Sequence, residues 1–280
     1  MSFIKSISFL LLGLYSAITL ALPKHDPVPG GIALVEIAAN GEMPEAYYYN
    51  KRLAIISHEQ KNFVLVGIPL SAKPGTDYFE LRHANGRKQK LSFAISDKAY
   101  QEQHLTITNK RKVNPNAEDL KRIQKEREIK NRARKHWSND LVKTEFIIPV
   151  EGRISSVFGL RRFFNEQPRA PHSGLDIAAP EGTPIKAVES GTVIETGDFF
   201  FSGNMVYIDH GQGLISLYAH MHRIDVKPGD MIEKGQVIGA VGQTGRVTGA
   251  HLHLAIIANE VMIDPTLLLP ELHSVETSAK

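Results

Sequence analysis

Apolar and polar residues alternate in short runs along most of this chain, with one interruption near the middle. From about Pro27 to Ile107 the runs GGIALVEI, AYYYN, LAIISH, NFVLVGIPL, YFELRH and KLSFAI are rich in β-branched and aromatic residues. Between them lie ANGEMP, AKPGTD and ANGRKQ, of which the first and last carry Asn-Gly pairs that favour tight hairpins. This predicts a small all-β domain of sandwich or barrel type, and it contains no cluster of His, Asp or Glu. From about Thr144 the runs return as FIIPV, GTVIETGD, NMVYIDHG, LISLYAHM, QVIGAVG and AHLHLAI, punctuated by glycines such as Gly191, Gly203, Gly213 and Gly239. They predict a second, mostly antiparallel β domain with tight turns.

In the interruption, residues 109–137, Lys and Arg crowd the sequence and only Leu120, Ile123, Ile129, Ala133 and Trp137 form a weak apolar stripe. Asn116 followed by Glu118 and Asp119 has the form of a helix start. A solvated basic connecting helix is expected; the sharper alternative is an arm that lies on an anionic polymer. The chain is therefore read as mostly β, with an N-terminal small all-β domain at 22–108, a basic helical linker at 109–140, a C-terminal antiparallel β sandwich at 141–270 and a tail at 271–280.

The first residues stand outside that pattern. In MSFIKSISFLLLGLYSAITLALPKHD, Lys5 precedes an apolar run from Phe9 to Leu20 that ends in small residues. That is the layout of a secretory signal peptide at 1–21. The run of roughly 12 residues is short of the roughly 20 that cross a bilayer as a helix. No membrane span is expected after cleavage, and the protein is expected in the periplasm or otherwise exported. There is no cysteine, so thiol nucleophiles, Cys-type metal sites and disulfides are excluded. A net charge of +3 is mild, and nucleic acid is not expected as a partner.

Candidate chemistry gathers in the second domain: HSGLD carries His172 and Asp176, YAHM carries His220, and HLH carries His251 and His253. Residues two apart on a strand share a face, so His251 and His253 point the same way. A burial-prone strand accommodates two such rings when their nitrogens are satisfied. A catalytic zinc ion needs three protein ligands and one open position, and imidazole nitrogen and carboxylate oxygen both suit it. Other histidines have quieter readings: His210 bonds within a turn and His222 lies on the surface. Arg161 and Arg162 either meet substrate carboxylates or stand exposed.

Residues 150–256 resemble the M23 metallopeptidases, the lysostaphin-type peptidoglycan endopeptidases. The likeness is carried by SSVFGLRR, HSGLDIAAPEGTPIKAVESGTV, YIDHGQGLISLYAHM and VKPGDMIEKGQVIGAVGQTGRVTGAHLH. It implies that His172, Asp176 and His253 bind Zn2+ and that His220 and His251 form the catalytic pair. It further implies a zinc metalloendopeptidase acting on peptidoglycan peptide stems, at the bond between D-Ala and meso-diaminopimelate in a diderm wall. Regulation by the N-terminal β domain and the basic helix, which precede the catalytic domain and could cover the cleft, is a further expectation. The rival readings are an inactive M23-like protein that binds the wall or regulates another hydrolase, and a carrier module with Lys234 as its attachment point.

Overall fold

Strand after strand in the first half reads apolar on both faces, and the reason is that half of the first sheet is sandwiched. The computed structural model describes residues 22–38 and 42–271, so the expected signal peptide and all but the start of the expected tail lie outside the described residues. The first sheet contains β1 (Ile32–Ile37), β2 (Glu45–Tyr48), β3 (Lys51–His58), β4 (Lys61–Gly67), β5 (Gly75–Arg82) and β6 (Lys88–Ile95), in the order β1-β4-β3-β2-β5-β6. Its neighbouring strands are all antiparallel. Ala33, Ala46, Leu53, Val64, Val66, Phe79, Leu81 and Phe93 converge on one core from all six strands. The alternate residues Ile32, Ala54, Ile56 and Leu65 join a different core, shared with the second half of the chain. Burial on both faces is what turns period-two alternation into continuous runs such as LAIIS and FVLVG.

Next come β7 (Glu102–Leu105), α1 (Lys110–Val113) and α2 (Ala117–Arg134). Asn116 caps α2 through its side chain on the Asp119 N–H, and the Asp119 carboxylate accepts from the Asn116 N–H, a reciprocal cap that fixes the helix start. Most of the helix is exposed, as expected of a connecting helix, but one edge is docked. Glu126 is buried and accepts the Phe200 N–H at 2.9 Å, Arg132 reaches Glu195 at 3.2 Å, and Ala133 packs among Phe199, Tyr207 and Leu217. Its apolar face is narrow because polar contacts to neighbouring strands do most of the holding.

The second half adds β8 (Arg153–Ser156), β9 (Arg161–Phe164), β10 (Gln167–Pro168), β11 (Leu175–Ala178), β12 (Pro184–Lys186), β13 (Gly191–Phe199), β14 (Gly203–Asp209), β15 (Ile215–Ile224), β16 (Met231–Ile232), β17 (Val237–Val241), β18 (His251–Ala258) and β19 (Val261–Ile263). The main sheet runs β16-β13-β14-β15-β18-β11-β8, with β12 and β17 paired beside it. Leu175, Ile177, Val206, Ile208, Tyr218, Leu252, Leu254 and Ile256 point inward to the large core. Within that core His210 is fully enclosed: its Nδ1 lies 3.0 Å from the Ser190 carbonyl and its Nε2 2.7 Å from Ser216 Oγ. Burial pushes its pKa down to about 4, so it packs as a neutral ring.

The two halves are joined where the β18–β19 turn meets β4. Asn259, buried and at φ +39°, accepts the Gly67 N–H at 2.7 Å and donates to the Gly67 carbonyl at 3.0 Å. A Cβ on Gly67 would stand 2.7 Å from that same Asn259 oxygen, so the approach requires glycine. Gln212 makes a second link, accepting the Ile55 N–H at 2.9 Å. Asn259→Ala leaves both backbone groups of Gly67 without partners, and each such buried group costs about 1–3 kcal/mol. We expect a fall of roughly 2–4 kcal/mol in the free energy of chemical denaturation; a wild-type midpoint would show that this joint holds nothing.

Candidate functional site

Opposite the large core, the main sheet presents an outer face divided into two parts. Met205, Tyr207, Ile215, Leu217, Ala255 and Ile257 form its apolar part, which α2 covers. Continuing the alternation of Ala255 and Ile257 along β18 places His253 and His251 on that same outer face, while Leu252 and Leu254 turn inward. In β11 Asp176 is outward, directly across the ladder from His253. His172 enters from the preceding loop, anchored by its N–H to the Leu160 carbonyl at 2.8 Å.

Three donor atoms meet there. His172 Nε2 is 3.0 Å from Asp176 Oδ1 and 3.1 Å from His253 Nδ1, and His253 Nδ1 is 2.7 Å from Asp176 Oδ1. Two imidazole nitrogens and a carboxylate oxygen at this spacing could hold a metal ion. Zinc ligands at about 2.0–2.1 Å in a tetrahedron stand about 3.3 Å apart, close to what the donors already span, so the set fits zinc. The His172 ring is oriented from behind: Nδ1 is 2.7 Å from the Val157 carbonyl and 3.1 Å from Ser156 Oγ. A backbone carbonyl behind a ligating ring fixes the tautomer with Nε2 free to ligate. Burial lowers the His172 pKa to about 4. Burial alone would raise that of Asp176, but hydrogen bonds and charge from His172 and His253 outweigh it and hold the carboxyl well below its ordinary range.

His220 reaches this face through an irregularity. Val206 opposes Tyr218 and Asn204 opposes Met221, so Met205 alone faces both Ala219 and His220. At this bulge His220 takes φ +64°, and its N–H turns to the Ser202 carbonyl at 2.9 Å. Regular pleating would send it inward beside Ser216 and Tyr218. Instead its ring centroid sits 4.9 Å from that of His251 and 5.9 Å from that of His253. Both remaining histidines are held alike: His220 Nδ1 is 2.8 Å from the Thr244 carbonyl and His251 Nδ1 is 2.8 Å from the Gly249 carbonyl. In each ring the Nδ1–H donates to a carbonyl. Burial, with His253 and His251 adding to it, lowers the His220 pKa to about 3.

All five residues read from the sequence thus converge, and the two arginines divide. Arg161 is exposed and pairs with Glu102 at 2.6 Å. Arg162 is largely buried and donates to Asp176 Oδ2 at 2.8 Å and to Ser156 Oγ at 3.1 Å. Gln103 of β7 accepts from its Nε at 3.1 Å. The expectation of a substrate contact or an exposed side chain for Arg162 therefore does not hold; it is tied to the far oxygen of the carboxylate. Only pairing across strands reveals this contact, since nothing in an Arg-Arg dipeptide separates the two. His222 is exposed against Glu181 at 2.7 Å, as expected of a surface residue. Lys234 is ion-paired to Glu189 at 3.1 Å. A left-handed backbone costs a β-branched side chain about 1–2 kcal/mol and glycine almost nothing. His220→Val should therefore unfold at a lower denaturant concentration than His220→Gly; equal midpoints would mean the bulge relaxes.

The structure can now be set beside known proteins. Residues 170–265 match the description Peptidase family M23, and residues 25–98 match Peptidase family M23 N-terminal domain. A solved structure described as a putative peptidase M23 from Pseudomonas aeruginosa superposes with a TM-score of 0.73 at 39% identity, covering 86% of this chain and 94% of that one. Peptidoglycan DD-endopeptidase ShyC of Vibrio cholerae is 43% identical over 131 residues, which is 46% of this chain and 30% of that protein. DD-carboxypeptidase/endopeptidase Mpg of Neisseria meningitidis is 39% identical over 133 residues, 46% of this chain and 31% of that protein. The match spans under a third of the length of these curated relatives. Taken over nearly the whole of the Pseudomonas structure, the likeness is decisive: the chain belongs to peptidase family M23.

Proposed function

We propose that this chain is an exported zinc endopeptidase that hydrolyses peptide crosslinks of bacterial peptidoglycan, at the D-Ala to meso-diaminopimelate bond. One observation carries the reading: His172, Asp176 and His253 form a closed set of three donors, with two further histidines facing them across the same surface. Relatives named as peptidoglycan endopeptidases support the choice of substrate. Among the described residues no helix is long and apolar enough to cross a membrane.

His172, Asp176 and His253 would hold the ion. Bound zinc supplies Lewis-acid polarisation of a carbonyl and acidification of water. The chain's own groups then account for the proton traffic. His220 and His251, each oriented by an Nδ1–H bond to a backbone carbonyl, take the proton of the attacking water and return one to the leaving amine. The ring that is protonated at that moment donates to the oxygen on which negative charge develops. His172 is kept in register by the Val157 carbonyl, and Arg162 occupies Asp176 Oδ2 so that Oδ1 faces the two rings.

Digestion of purified sacculi with and without a chelator, followed by identification of the new chain ends, tests the reading. Free D-Ala carboxyls and free diaminopimelate amines are expected, and chelation should abolish both. His220→Ala and His251→Ala should retain metal and slow by about 10²–10⁴. His172→Ala, Asp176→Ala and His253→Ala should lose metal and activity together. A fully metallated His253→Ala protein, or cleavage unaffected by metal stripping, would overturn the assignment.

A further inference from the structure

Beside the histidine cluster lies a cation without an anion. Arg246 is in the loop between β17 and β18 that also supplies the Thr244 carbonyl to His220. Its guanidinium carbon sits 4.5 Å from the Phe164 ring centroid and 4.4 Å from that of Phe201. Those rings come from β9 and from the turn between β13 and β14, so three separate segments build the spot. Among the described residues its one side-chain hydrogen bond is a long one, from Nη1 to the Lys112 carbonyl at 3.4 Å. No carboxylate of the described residues pairs with it.

Its charged neighbours are cations too. Burial, then the charges of Arg162 and Arg169, push the Arg246 pKa down to about 10. Arg169 is itself satisfied only by neutral acceptors: the Pro168 and Val113 carbonyls, Asn114 and Gln167. Arg162 has its charge matched by Asp176, which leaves the Arg246 and Arg169 guanidiniums without a carboxylate partner among the described residues. Desolvating a cation without a partner is unfavourable, and stacking on two phenyl faces offsets only part of that. What such an arginine retains is its N–H edge, pre-oriented because the rings prevent it from swinging, and that edge fits a carboxylate in bidentate fashion.

We infer that Arg246, held over Phe164 and Phe201 and backed by Arg169, binds a carboxylate of the substrate peptide next to the scissile bond. The protein then selects stems that carry this carboxylate free over stems in which it is amidated. The inference rests on the peptide-hydrolase reading and makes it more specific: the substrate is an acidic peptide, recognised by its charge as well as its backbone.

The probes are one synthetic crosslinked stem peptide with its carboxylates free and the same peptide with them converted to primary amides. Calorimetry on the full metal-free chain measures binding, and hydrolysis is followed on the zinc-loaded protein. A charge-assisted pair of hydrogen bonds is worth tenfold or more in affinity, so amidation should weaken wild-type binding by about that factor. In Arg246→Gln the ratio between the two peptides should fall to about one, with Arg246→Lys in between. Equal wild-type affinity for both peptides overturns the inference without recourse to any variant. A well-folded Arg246→Gln protein that still discriminates overturns it as well. Carboxylate-dependent binding without hydrolysis of either peptide would support the Arg246 site while refuting the peptidase reading.

Discussion

A carboxylate buried beneath the surface of a β-sheet must be matched, and the matching of Asp176 organises the ground around it. Left alone, its charge would be expelled by protonation. Here Oδ1 faces His172 and His253, and Oδ2 accepts from Arg162. Each partner is in turn fixed from behind: His172 by the Val157 carbonyl, Arg162 by Gln103 and Ser156, and His253 by its place between β11 and β15. Donors whose orientation is settled before an ion arrives lose little freedom on binding it, which is the physical advantage of such supports.

The chain separates support from chemistry by face. The inward face of the main sheet is apolar and merges with the first sheet through Ile32, Ala54, Ile56 and Leu65. The outward face carries the histidines. Docking the first sheet on Asn259, beyond one end of β18, while His251 opens the other end, keeps that sheet away from the histidine cluster. The segments that do approach it lie between the two sheets in sequence. β7 pairs in parallel with β9 and lends Gln103, and α1 places the Lys112 carbonyl at Arg246. Of the upstream elements expected to cover the cleft, β7 and the connecting segment border the site and the six-stranded sheet does not.

Arg246 extends the same logic outward. Asp176 is an anion matched at both oxygens, and Arg246 is a cation with no carboxylate partner among the described residues. Side by side, they give the site a net positive rim around a matched centre. On the proposed reading, a field of that sign would draw acidic peptides toward the histidines and orient them on arrival.

Much of this was legible in the amino-acid order. Strand-like runs marked both β regions, with Asn-Gly turns in the first and glycines in the second; Asn116 with Asp119 announced the helix start, and HLH placed two rings on one face because strand periodicity is two. HSGLD, YAHM and HLH together named all five clustered residues. Local rules suffice for these features because each depends on residues a few positions apart. Three things only the tertiary structure decided. Pleating would have turned His220 inward, and a bulge against β14 reversed it. Arg161 and Arg162, adjacent and chemically identical, parted because one met Glu102 and the other Asp176. The basic helix, exposed along most of its length, is held on one edge, its Glu126 carboxylate taken up by the Phe200 N–H. Each outcome was set by a partner distant in sequence, and no pattern within a single segment encodes which partner the fold will bring.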